Sequence, residues 1–182
     1  MKSLIIVCLV MILAAGCAQK PTYTLFKALE EPLPAGKTAC VSSIDRSRVM
    51  VNEQGEKIGP SLESAEQMRS IIIQELRGNN CFAEISKSAG LACDTDYAIS
   101  GKLHLFERGG GVPQSHPSMM YVKPKEDPFR IVMILSITEV ASDRVIFSGT
   151  FESGTSSVVT EEEEAYRELA KSFAGAILIP KR

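Results

Sequence analysis

The side chains that most often carry enzyme chemistry are scarce in this sequence. Its two histidines, His104 and His116, belong to no HExxH or similar metal-binding array. No GxSxG or SxxK motif supplies a serine nucleophile, and the glycine run at residues 109–111 lacks the GxGxxG spacing of a phosphate-binding loop. The cysteines show no CxxC or Cys/His spacing. We therefore predict no catalytic residue, no metal and no cofactor, and we expect that the protein is not an enzyme; a periplasmic enzyme is the less favoured alternative.

A different pattern surrounds a cysteine close to the N-terminus. Lys2 precedes an apolar run over residues 4–13, and the small residues Ala14, Ala15 and Gly16 then lead to Cys17. A positive head, a short apolar run and a small-residue cleavage site predict a secretory signal peptide. The run is too short for a permanent membrane helix, which needs about 20 apolar residues.

The sequence of residues 13–17, Leu-Ala-Ala-Gly-Cys, also resembles the bacterial lipobox. The resemblance implies that residues 1–16 are removed and that Cys17 becomes the lipidated first residue of a lipoprotein. Its acyl chains would form a firm membrane anchor, since each buried methylene contributes about 0.8 kcal/mol. Ala18 stands where an Asp would resemble an inner-membrane retention signal, so the expected location is the outer membrane, facing the periplasm. The alternative is a plain secretory signal with an incidental Cys17.

Composition limits the partners of the mature chain. Removing residues 1–16 from 182 leaves 166, enough for one domain with a sizeable core. Lys2 is the one charged residue removed, so the formal charge changes from −2 to −3. The chain has no excess of positive charge that would attract nucleic acid. It also contains no tryptophan, which argues weakly against a platform on which sugars or nucleobases stack.

Three cysteines remain after the signal is cleaved and Cys17 is lipidated: Cys40, Cys81 and Cys93. Three thiols allow three pairings in an oxidising compartment, and each leaves one cysteine over. We prefer Cys81 with Cys93, because both flank one short connection. Three reduced cysteines that act as small buried hydrophobic residues are an equal alternative.

We divide the mature chain into a lipid-anchored tether at 17–36 and a single domain at 37–182. The tether contains Pro21, Pro32 and Pro34 and begins to order near Tyr23. The domain pattern predicts a strand at 37–44, a polar loop at 45–60 with an extended piece at 49–51, a helix at 61–78, strands at 81–86, 96–107, 129–140 and 145–152, and a final helix that Thr160 caps. The order β-α-β-β-β-β-α predicts an α+β fold, in which two helices pack on one face of an antiparallel or mixed sheet of about five strands.

Periodicity also predicts which side chains are buried. In the first helix we expect a buried stripe, and we expect Arg69 to lie mostly away from it. In the strand at 96–107 one face is buried and one is solvated. The predicted helix stripe is Leu62, Ala65, Met68, Ile72 and Leu76, and the predicted buried strand face is Tyr97, Ile99, Gly101, Leu103 and Leu105.

The longest irregular segment, at residues 108–128, contains three consecutive glycines and four prolines. Connections of this length are usually functional or disordered. Its Met119, Met120 and Tyr121 are soft and aromatic side chains that suit contact with a partner or a lipid. The alternative is that they pack back against the sheet.

Several short stretches together resemble the auxiliary lipoproteins of ABC-type transport systems: the lipobox, Tyr-Thr-Leu at 23–25, residues 76–82, residues 96–103 and residues 145–149. The resemblance implies a non-catalytic accessory that helps move lipids or other apolar cargo, with an envelope protein as partner. A looser similarity to other periplasmic lipoproteins leaves two alternatives, an activator of an envelope synthase and a secretion-pore lipoprotein that forms a homo-oligomer.

Overall fold

The computed structural model describes residues 23–34, 36–46, 50–51, 57–58, 61–88, 94–107, 130–153 and 162–179. Six strands form a mixed sheet in the order β1-β8-β7-β6-β2-β5, and β3 and β4 form a separate antiparallel pair. The elements in chain order are β1 Tyr23–Lys27, β2 Thr38–Val41, β3 Met50–Val51, β4 Lys57–Ile58, α1 Leu62–Gly78, β5 Glu84–Lys87, β6 Tyr97–Glu107, β7 Arg130–Glu139, β8 Arg144–Glu152 and α2 Glu162–Leu178.

The predicted α+β class is confirmed, with one strand more in the main sheet than expected. The extra strand is β1, which lies inside the segment assigned to the tether and pairs antiparallel with β8. Tyr23 packs on Phe151 with ring centroids 5.5 Å apart. The ordered sheet therefore begins at Tyr23, well before the expected boundary at residue 37.

Helix α1 begins where the sequence indicates. Ser61 caps it, and its hydroxyl oxygen accepts a hydrogen bond from the Ser64 N–H at 2.9 Å. The expected stripe is buried except for Leu62, which is 67% exposed at the first helical position. Neither described helix is long and apolar enough to cross a membrane.

The expectation for Arg69 is wrong, because its side chain is only 5% exposed. Its guanidinium donates to the Val41 carbonyl from Nε at 3.0 Å and from Nη2 at 2.6 Å. Nη2 also donates to the Ser88 carbonyl at 2.5 Å, and Nη1 lies 3.2 Å from Glu66 Oε1. The buried charge is thus satisfied by backbone oxygens at the ends of β2 and β5, and it ties α1 to both strands.

Strand β6 departs from strict alternation near its end. Leu103 pairs with Met133, but Leu105 pairs with Val132, so His104 is an extra residue in a β-bulge. The bulge gives the buried position to Phe106, which is 8% exposed, and leaves Leu105 only partly buried. The prediction of Leu105 as a core residue is therefore wrong, while the other expected residues of that face are buried.

Aromatic rings join α2 to the sheet in the core. Phe173 of α2 lies 5.8 Å from Phe147 and 5.3 Å from Phe151, measured between ring centroids. The second ring pair is edge-to-face, an arrangement that adds stability beyond the buried area. Tyr166 is fully buried, and its hydroxyl donates to Glu162 one turn earlier.

We predict that Arg69→Ala will lower the free energy of unfolding by about 2–4 kcal/mol, because it removes the hydrogen bonds that the buried guanidinium donates to the Val41 and Ser88 carbonyls. Lys87→Ala is the control, since Lys87 contacts the same Glu66 carboxylate from an exposed position at 3.5 Å and should leave stability almost unchanged. Urea denaturation of both variants measures the difference. Equal midpoints would contradict a structural role for the buried guanidinium.

Candidate partner-binding site at the hairpin end

The strands define two opposite ends of the sheet. We call the end of the sheet where β1 begins the N-terminal end. We call the opposite end, where residues 140–143 join β7 to β8, the hairpin end. Tyr23 pairs with Phe151 close to the end of β8, and Tyr97 at the start of β6 pairs with Glu139 at the end of β7. β1 and β7 therefore run toward the hairpin end, while β2, β5, β6 and β8 run away from it.

Helix α1 also runs toward the hairpin end. Arg69 donates to the carbonyl of Val41, the last residue of β2, whereas Arg77 donates to the carbonyl of Ile85 near the start of β5. Because β2 and β5 run away from the hairpin end, the later part of α1 lies closer to it.

Helix α2 runs parallel to α1. Gln67 Nε2 lies 3.4 Å from Glu163 Oε2, and Glu75 Oε1 lies 3.5 Å from Arg167 Nη1. The first contact joins residues near the start of each helix, and the second joins residues farther along each helix, so the two helices run in the same direction. The C-terminus of α2, followed by Ile179, therefore lies toward the hairpin end.

Exposed apolar side chains gather at the hairpin end. Val140 and Val145 are 40% and 42% exposed on either side of the turn, and Ile179 is 68% exposed after α2. Among the described residues, the other large exposed hydrophobic side chains are Leu62 at the start of α1 and Phe26, which lies beside the middle of β8. Grouped exposed apolar residues commonly mark interaction sites, whereas scattered ones need no explanation. The group comprises Val140, Val145, Leu178 and Ile179.

A cavity of about 320 Å³ opens at the same end, between the segment after β1 and the ends of the central strands. Its apolar lining includes Leu29, Leu33, Tyr97 and Ile146, and charged residues complete the wall. Lys27 and Arg144 are its cations, and Glu30, Glu31 and Glu139 are its anions. Its volume is at the lower end of the range for drug-sized ligands.

A second cavity of about 420 Å³ adjoins the first and shares Tyr97 and Glu139 with it. Its other charged residues are Lys37, Asp94 and Asp96. Counted together, the two linings carry three cations and five carboxylates, a formal charge of −2. The hairpin-end site, which we define as these two cavities and the exposed apolar group, therefore suits an apolar partner that carries positive charge.

Asp96 fixes the geometry of the second cavity. Its carboxylate accepts from Lys37 Nζ at 2.7 Å, from the Thr38 N–H at 2.8 Å and from the Thr38 hydroxyl at 3.0 Å. The Lys37 ammonium, followed by the Thr38 N–H, lowers the pKa of Asp96 to about 2. The same contact raises the pKa of Lys37. These bonds hold the start of β2 against the start of β6.

The described ranges contain no group of three or more His, Cys, Asp or Glu side chains that could hold a metal ion. His104 lies at the bulge on the exposed face of β6, away from the hairpin end. The arrangement at the hairpin end offers apolar contact, ion pairing and hydrogen bonding, which are the requirements of a binding surface.

Most of the site residues predicted from sequence lie outside the described residues. These are the lipid attachment site Cys17, the contact residues Met119, Met120 and Tyr121, and Cys93. Sequence reasoning did not find the hairpin-end site. One local signal was present, since Val140 and Val145 flank a predicted turn where polar residues are usual.

The preferred pairing of Cys81 with Cys93 is wrong. Cys81 is a free, buried thiol, and burial raises its pKa. Cys40 of β2 is disulfide-bonded. It sits between Ala39 and Val41, which both belong to the core, so alternation turns Cys40 to the opposite face of the sheet. If residues 1–16 are removed and Cys17 is lipidated, as the lipobox resemblance implies, Cys93 is the one cysteine left to pair with Cys40.

Comparison with solved structures identifies the fold. The PelC dodecamer of Paraburkholderia phytofirmans matches with a TM-score of 0.60 and 15% identity, over 88% of this chain and 100% of that chain. Protein XCC0632 of Xanthomonas campestris, described under the family name DUF330, matches with a TM-score of 0.53 and 16% identity, over 87% of this chain and 92% of that chain. The three proteins share one fold. No protein-family model matches the chain, and no curated protein matches it.

We predict that the Asp96 contacts stabilise the fold above pH 4 and are lost as the pH falls through about 2. The sign follows because the folded-state pKa lies below the usual value near 4, so acid favours the unfolded chain. Thermal unfolding between pH 6 and pH 2 measures the effect, and Asp96→Asn should flatten part of the acid dependence. An NMR titration that places the Asp96 pKa near 4 would contradict the hydrogen-bonded arrangement.

We also predict a Cys40–Cys93 disulfide in the mature protein. Peptide mapping without reductant should recover the two cysteines linked, and alkylation should reach Cys81 only after denaturation, because the thiol is buried. Cys93→Ser should destabilise the domain by up to about 4 kcal/mol, the chain-entropy value for a closed loop of about 50 residues. A linked peptide that contains Cys81 would overturn this assignment.

Proposed function

We propose that this protein is a lipid-anchored, non-catalytic interaction module of the bacterial cell envelope, and that it acts as an accessory in the transport of lipid or other apolar cargo. The observation that carries the proposal is the hairpin-end site, which combines exposed apolar side chains with small cavities of net negative charge. The lipobox at Cys17 supports attachment to the outer membrane, facing the periplasm. The resemblance to the auxiliary lipoproteins of ABC-type transport systems supports a role in transport.

The chemistry of the site favours a protein partner over the lipid itself. A cavity of about 320 Å³ is too small to enclose a two-chain lipid, which is larger than a drug-sized ligand. Glu30 and Glu31 on the wall would repel an anionic headgroup. The proposed partner is therefore a segment of an envelope protein that inserts an apolar side chain and carries basic residues beside it, while the cargo is held by that partner.

A second candidate is a ring of identical subunits. The observation in its favour is that PelC, which shares the fold, was solved as a dodecamer. The two edge strands offer a route, because β1 runs toward the hairpin end and β5 runs away from it. A head-to-tail neighbour would therefore place β1 antiparallel to β5 and continue the sheet.

We expect photo-crosslinking in cells to distinguish these functions. A photo-reactive residue at Val140, on the hairpin end, should capture a transport component, and the same residue at Ser100, on the exposed face of β6, should not. Changing Glu30 and Glu31 to Lys should reduce the yield, because it reverses the charge of the cavity wall. Glu164→Lys, an exposed change at the start of α2, is the matched control.

Each outcome of this experiment identifies a function class. Capture of a cell-wall synthase at Val140 would favour the activator, and crosslinks between copies of the chain would favour the ring. Equal capture at Val140 and Ser100, unaffected by the Glu30 and Glu31 changes, would contradict the hairpin-end site. Cys17→Ser should release the protein from the membrane fraction, and unchanged fractionation would contradict the anchor.

A further inference from the structure

The distance along the chain between the proposed lipid and the sheet is short. Six residue steps separate Cys17 from Tyr23, the first residue of β1. A fully extended chain covers at most about 3.6 Å per residue, so the linker reaches about 20 Å. A tether that ended at residue 36 would reach more than three times as far and would leave the orientation of the domain open.

The distance along the strands from Tyr23 to the hairpin end is at least as long as the fully extended linker. Tyr23 is level with Phe151, because the two residues pair across β1 and β8. Arg144, at the hairpin end of β8, lies seven residues away from Phe151, and a strand rises about 3.3 Å per residue, so the hairpin end lies about 23 Å beyond Tyr23. A domain that rested its hairpin end on the membrane would hold Tyr23 farther from the bilayer than the linker can extend.

We propose that the anchor fixes the direction of the domain: the N-terminal end faces the membrane that holds the lipid, and the hairpin-end site faces away from it. This inference rests on the proposed lipid anchor at Cys17. The partner at the hairpin end then approaches from the compartment or from the opposing membrane, and it is not a component buried in the anchoring bilayer.

The surface of the N-terminal end is charged, which disfavours its insertion between acyl chains. Arg130 and Glu152 form an ion pair there with an Nε–Oε1 distance of 2.6 Å. The first turn of α2 adds Glu162, Glu163 and Glu164. Charged groups of this kind remain hydrated, so the acyl anchor and not the protein surface holds the domain to the membrane.

Fluorescence quenching on vesicles tests the orientation. The lipidated full chain carries an environment-insensitive dye at Glu164→Cys, on the N-terminal end, or at Ala141→Cys, on the hairpin end; both positions are exposed. The vesicles are phosphatidylethanolamine and phosphatidylglycerol with a nitroxide on a fraction of the headgroups. We expect strong loss of fluorescence at Glu164→Cys and none at Ala141→Cys. The unsubstituted chain, labelled in parallel, measures background from native cysteines.

A longer linker provides the matched control. About 20 Gly and Ser residues inserted after Lys20 add a mean reach of about 25 Å, so quenching at Ala141→Cys should appear in that variant alone. Equal quenching at the two positions with the native linker would overturn the orientation. Failure of the chain to float with vesicles, or flotation of Cys17→Ser to the same extent, would instead refute the anchor, so the two failures are distinguishable.

Discussion

The close approach of β1 to β8 is the contact on which the placement of the whole domain depends. Leu25 lies over Gly149, and a Cβ at residue 149 would come within 2.8 Å of Leu25 Cδ2 and 3.0 Å of the Thr24 carbonyl oxygen. A side chain tip can move aside, but a backbone oxygen in a paired strand cannot. Gly149 therefore admits β1 to the sheet, and β1 in turn covers Phe151 with Tyr23. Without this pairing, the ordered domain would begin near residue 37.

Polar contacts at the two ends of β2 hold the remaining elements in register. Asp96 binds Lys37 and Thr38 where β2 begins, and Arg69 binds Val41 where it ends. β2 has only four residues, so its own ladder supplies few hydrogen bonds. The side chains compensate by joining β2 to β6 at one end and to α1 at the other. Several hydrogen bonds match the buried Arg69 guanidinium, which offsets the cost of removing it from water.

The local sequence pattern predicts most helices and strands of this fold. It does not predict the residues whose burial or pairing departs from that pattern. Helix α1 and strands β6 to β8 follow from periodicity, because each buries mainly one face. β1 is short and half-buried at an edge, so its pattern does not differ from that of a polar linker. The burial of Arg69 depends on carbonyls of β2 and β5, and the exchange of Leu105 for Phe106 depends on a bulge against β7; neither is a local property. The cysteine pairing likewise depends on which cysteine the fold brings close to Cys40, and spacing along the chain does not contain that information.

The hairpin-end site could not be read from the sequence for a related reason, since its residues come from positions as far apart as Leu29 and Ile179. Topology alone brings them together, because β1, β7, α1 and α2 all run toward one end. That convergence also explains why the apolar side chains remain exposed there: the ends of strands and helices leave gaps that a single small domain has no further layer to fill. Exposed apolar area is unfavourable in water, and covering it by a partner recovers about 25 cal/mol for each Å² removed from solvent. The segment that follows β1 lines the first cavity, so the edge strand that begins the sheet also leads into this surface.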